Sequence, residues 1–156
     1  PSGFANGITM AEEWRLTTNQ SSSGTATNLE VVNEATSGSI GTGMSVSSGI
    51  FTFPQTGIYL IMANIKCAAS ADDNMGVNID ISTDSGSTYN TAAEGFDSGN
   101  GGNAGAGQAS CSYIIDVQNA STTRVKFNLF SIASGAVEGL TNETKTGFTF
   151  IRLGDT

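Results

Sequence analysis

Histidine is absent from this 156-residue chain, and lysine and arginine together number only six. Without imidazole there is no Ser-His-Asp triad, no Cys-His dyad and no His-ligated metal. A jelly-roll enzyme holding its metal on histidines is disfavoured by the same lack. Six cations against fourteen Asp and Glu leave a net charge of −8. Phosphate binding needs a basic footprint, so nucleic acid is not an expected partner. The acidic surface reads as a solubility feature. Cysteine occurs twice, which does not define a redox compartment. No apolar run approaches the roughly 18–20 residues of a membrane-spanning helix, so no membrane insertion is expected. No stretch of useful length carries the periodicity of an amphipathic helix.

Glycine occurs twenty times, alongside abundant Ser, Thr and Asn. That composition favours short strands joined by many turns. The length suits one domain with a core that needs no staples. Residues 1–7 read as a loose arm and residues 8–156 as that single domain. The chain begins at Pro1 with no signal-peptide pattern and reads as the C-terminal head of something longer.

The organising stretch is Gly49 to Cys67, GIFTFPQTGIYLIMANIKC. Phe51 and Phe53 alternate with Ile50 and Thr52, the period of a strand. Pro54 ends that strand because it has no N–H to donate. Gln55, Thr56 and Gly57 form a turn. Ile58 to Cys67 is nearly continuously apolar, which predicts a long strand buried on both faces. Such a strand needs a second sheet on one side and another chain on the other.

Further strands are predicted over Ile8–Thr17, Leu29–Val32, Met44–Ser47, Met75–Thr83, Tyr89–Phe96, Gln108–Val117, Arg124–Ile132 and Gly147–Leu153. Asn19 to Asn28 and Ser134 to Lys145 read as loops. Eight principal and two minor strands without helices mean a sandwich or barrel.

Phe51, Gly57 and Tyr59, in the pattern F…PxxGxYxx continued by Leu60-Ile61-Met62-Ala63, resemble the core signature of the complement C1q and tumour necrosis factor superfamily. The resemblance implies an all-β, ten-stranded jelly roll of two Greek-key sheets that assembles as a homotrimer. It implies that the pivot strand, the Gln108 strand and the final strand lie side by side around a threefold axis. Ile58, Leu60 and Met62 would then face outward with Ile114 and Ile151 and form the trimer interface. Phe51, Phe53, Tyr59, Ile61, Ile65, Tyr113, Ile115, Phe127, Phe148 and Phe150 are the expected core. Cys67 and Cys111 both face inward by parity and are expected as a disulfide or as two core thiols.

No catalytic residue is predicted. Asp80, Asp84, Glu94 and Asp97 show no spacing that selects a catalytic pair, and read as solvated strand faces and turns. Asp72 and Asp73 are candidate calcium ligands by oxygen chemistry and by the resemblance; no other cofactor is expected. The expected function is that of a non-enzymatic head or knob of a virion or fibre, at a virion surface or outside the cell. Its partners would be a host-surface glycan or protein, or another virion protein. The alternative is a secreted carbohydrate- or protein-binding module.

Overall fold

The computed structural model describes residues 7–69, 74–97 and 105–156. Twelve strands occupy them in chain order: β1 (Met10–Leu16), β2 (Gly24–Thr25), β3 (Leu29–Val31), β4 (Ser45–Ser47), β5 (Ile50–Thr52), β6 (Gly57–Ala69), β7 (Gly76–Ser82), β8 (Asn90–Phe96), β9 (Gly105–Val117), β10 (Arg124–Phe130), β11 (Gly135–Val137) and β12 (Gly147–Gly154). No described residue is helical. The two strands beyond the expected ten are β2 and β11, inside segments that read as loops, the second around an apolar bump at Val137 and Leu140. Each is too short to show a period of two.

The strands form two antiparallel sheets. The first runs β9-β6-β12-β1-β3, with β11 continuing beside the far end of β6. The second runs β4-β5-β10-β7-β8, with β2 also on β10. The pivot strand, the Gln108 strand and the final strand are therefore neighbours, as the resemblance implied. β6 and β9 pair over thirteen residues, from Gly57↔Val117 to Ala69↔Gly105.

Aromatic rings join the sheets. Phe51 of β5 meets Trp14 of β1 edge-on at 5.2 Å between ring centroids, and Phe150 of β12 at 5.0 Å. Phe127 of β10 stacks on Phe148 of β12 at 4.0 Å. Phe53 packs on Tyr59 at 4.9 Å, and the Tyr59 hydroxyl donates to the Gln55 carbonyl at 2.9 Å. These rings come from alternating positions on opposed strands, so their burial follows from the period of two.

One carboxylate lies in this apolar layer. Glu12 sits between Met10 and Trp14 on the inward side of β1 and is buried. Its Oε1 accepts from the Trp14 indole N–H at 2.7 Å and from the Met44 backbone N–H at 2.5 Å. The second bond ties the segment entering β4, in the second sheet, to β1 of the first.

The turn before β6 needs glycine. Gly57 has φ of +144°, and a Cβ there would lie 2.5 Å from the Arg152 guanidinium Nε. Arg152 is buried and donates through Nε to the Thr56 carbonyl at 3.0 Å and through Nη1 to the Thr9 hydroxyl at 3.1 Å. The start of β1, the end of β12 and the turn into β6 thus meet at one end of the sandwich, here called the base. Lys66 and Glu138 lie at the opposite end.

Truncating the ring at the centre of this cluster measures its weight. Phe51→Ala is expected to cost about 3–5 kcal/mol, read as a lowered urea midpoint with secondary structure retained in native buffer.

Candidate functional site: the outer face of the first sheet

Burial along β6 alternates. Tyr59, Ile61, Ala63, Ile65 and Cys67 are buried against the second sheet. Ile58, Leu60 and Met62 point the other way and are half-buried, each flanked in register by residues of β9 and β12.

Register arranges that outer face in rows. Ile114 of β9, Leu60 of β6, Ile151 of β12 and Ala11 of β1 lie side by side. Ile40 extends the row, because it bridges Ala11 with backbone bonds of 3.1 and 2.8 Å. Ile114 is 59% exposed at one end of the row and Ile40 48% at the other. Ile58 flanks this row at the base, between Asp116 and Gly154. Toward the far end the next row is Ser112, Met62, Thr149 and Glu13. After it come Ser110, Asn64, Gly147 and Arg15, whose guanidinium is buried between Glu30, at 2.8 Å, and Glu34. Farther still, Lys66 pairs with Glu138 at 2.9 Å, and Lys145 approaches the same carboxylate at 3.6 Å. Lys66, its closest partner, holds the Glu138 carboxyl below its ordinary range. The face therefore grades from apolar at the base to charged at the opposite end.

Two of the four carboxylates weighed as catalysts are engaged structurally: Asp80 accepts from the Thr91 hydroxyl at 2.8 Å. Asp84 accepts from the Thr88 hydroxyl at 2.6 Å, the Thr88 backbone N–H at 2.9 Å and the Ser82 hydroxyl at 2.7 Å. Among the described residues no three of Cys, Asp and Glu converge as a metal site. Asp72 and Asp73, the calcium candidates, lie outside the described residues.

One expectation needs correction, and of the two cysteine alternatives the disulfide falls away. Tyr113 was expected in the core but is 38% exposed. Its parity is inward, beside Ile61, yet β9 is an edge strand. β8 closes against β9 at Gly95, where a Cβ would lie 2.2 Å from the Ser110 carbonyl oxygen. Nearer the base that closure is missing, and Tyr113 stands in the gap. The other predicted core residues are all buried. The cysteines are not a pair. Cys67 lies opposite Gly107 and Cys111 opposite Ala63, four positions apart on adjacent strands. That places their Cα atoms about 14 Å apart, beyond the reach of a disulfide. Both are free thiols.

Ala11 and Ile40 were missed by sequence reasoning. Ile40 is a lone aliphatic in SGSIGTG, with no neighbour to define a period. Only its bridge to Ala11 puts it on this face.

No protein-family model matches this chain, and no curated protein matches it. Solved structures do. The Eiger TNF from S. frugiperda is similar at a TM-score of 0.70 and 10% identity, over 96% of each chain. Murine APRIL at pH 5.0 is similar at a TM-score of 0.69 and 14% identity, over 92% of this chain and 98% of that one.

Two measurements check this account. Burial pushes the thiols of Cys67 and Cys111 up to about 11. The intact mass should therefore be unchanged by reductant, and alkylation of native protein should be slow at pH 8 and quicken toward pH 10. The bonds from Thr88 and Ser82 lower the Asp84 carboxyl to about 2. Its contribution to the loop is thus fully present above the ordinary carboxylate range near pH 4 and is lost as pH falls through about 2. A carboxyl carbon titration by NMR should show Asp84 ionised at pH 3, and Asp84→Asn should remove that acid-range dependence. The chain has the jelly-roll fold of the tumour necrosis factor and C1q-like domains.

Proposed function

We propose that this chain is a non-enzymatic head domain that assembles as a homotrimer through the outer face of its first sheet and attaches to a partner or surface. The observation that carries this reading is the row from Ile114 through Leu60, Ile151 and Ala11 to Ile40. It crosses the whole sheet and stays partly open in a single chain. A continuous apolar surface of this kind marks an interaction site. Burying each large aliphatic side chain contributes about 1.5–3 kcal/mol, and a closed ring repeats the set in every copy. The fold resemblance favours three copies.

The gradient along the face supports an orientation. Both the described start of the chain and its end lie at the base, beside the apolar row. A stalk joined upstream would hold three bases together, leaving the opposite end free for attachment. Placement on a virion or fibre draws on the glycine-, serine- and asparagine-rich, histidine-free composition. A secreted binding module would use the same face; an upstream signal peptide or collagen-like repeat would favour it.

Light scattering of the purified chain at micromolar concentration is expected to give three chain masses. Leu60→Glu with Met62→Glu is expected to give folded monomer or no soluble protein. A single chain mass for the unmodified protein, or an undisturbed trimer for the double variant, would overturn the assignment of this face.

A further inference from the structure

We infer that the cleft beside Tyr113, between the edges of the two sheets, is a binding site for a neutral pyranose. This deepens the attachment role proposed above and rests on it for its biological sense, though not for its chemistry. The cleft has a volume of about 390 Å³ and is lined by Tyr113, Ile81, Thr88, Asn90, Thr91 and Asp116, among others. That volume sits at the lower end of the roughly 300–1,000 Å³ of small-ligand pockets, so it suits one or two sugar rings rather than a long chain.

The lining selects the ligand class. Tyr113 should be covered by its neighbours, yet it stands open at the mouth, and Ile81 provides an apolar wall. An aromatic ring in that position can cover the C–H face of a pyranose while its hydroxyl stays wet. The polar groups are rich in acceptors. The Thr88 hydroxyl already donates to Asp84 at 2.6 Å, and the Thr91 hydroxyl to Asp80 at 2.8 Å. Their protons are committed, so they offer a ligand lone pairs only. Asn90, at the exposed edge of β8, contributes both an acceptor and donors. A site of acceptors around an aromatic face fits a ligand carrying many hydroxyl donors. Asp80 and Asp84, behind the threonines, disfavour sialic and uronic acids, whose carboxylates would meet like charge.

The same polarity argues against the other occupant of such a gap, a neighbouring copy of this chain. Its apolar row would offer the exposed Asn90 amide no partner and the free lone pairs of Thr88 and Thr91 no donor.

The test is saturation-transfer NMR with the methyl glycosides of glucose, galactose, mannose and N-acetylglucosamine, and of sialic acid as the acidic member. Light scattering and thermal melting are run on the same samples. Transfer from at least one neutral glycoside and none from the sialoside is expected. Tyr113→Ala and, separately, the exposed Asn90→Ala are each expected to weaken binding by about tenfold, a loss of one stacking or polar contact, without changing mass or melting. The inference is overturned by silence of every neutral glycoside, or by binding that survives both substitutions. It is overturned equally if Tyr113→Ala dissociates the assembly, which would make the cleft a seat for the next subunit. A single chain mass with sugar binding intact would sink the trimer and leave the cleft standing.

Discussion

One constraint governs this molecule: β6 must bury two faces with a core behind only one of them. Its inward residues are satisfied by the second sheet, where Phe51 and Phe127 meet Phe148, Phe150 and Trp14. Its outward residues lie between neighbours of the same sheet and stay half-open. A sandwich of two layers has no third layer to supply. The geometry that makes the fold stable therefore leaves part of its apolar surface for contact with something else.

The charged groups are arranged around that constraint. Arg15 faces outward on β1, but Glu30 lies opposite it in register, and Glu34 completes its partnership. Buried ion pairs contribute little net stability, and breaking one strands a charge. Lys66 and Lys145 converge on Glu138 at the same end. Polar partners so close at hand keep that end of the face from joining the apolar row. The row is confined to the base, next to the junction of Thr9, Gly57 and Arg152.

Much of the fold was legible because its signals are local. Val125, Phe127 and Leu129 alternate cleanly, and Pro54 with Gly57 punctuates the chain at the turn into β6. The five outward positions named from parity do share one face in register. What stayed hidden was non-local. Ile40 joins the row only through its bridge to Ala11. The exposure of Tyr113 depends on where β8 leaves β9, a matter of Gly95 against Ser110. The cysteines share parity, yet parity says nothing of the four-residue offset between them. β2 and β11 hold two and three residues, too few for any pattern, and are strands only because longer partners template them.

β1 is hydrogen-bonded along its length to β12, the last strand of the chain. During synthesis the first strand consequently has no permanent neighbour on that side until β12 has left the ribosome. β6 likewise waits for β9 and β12. A nascent chain of this topology carries its most apolar segment without its sheet neighbours until β9 and then β12 have been made. Production in the cell thus hinges on how well that segment is sheltered before the final eight residues of β12 arrive.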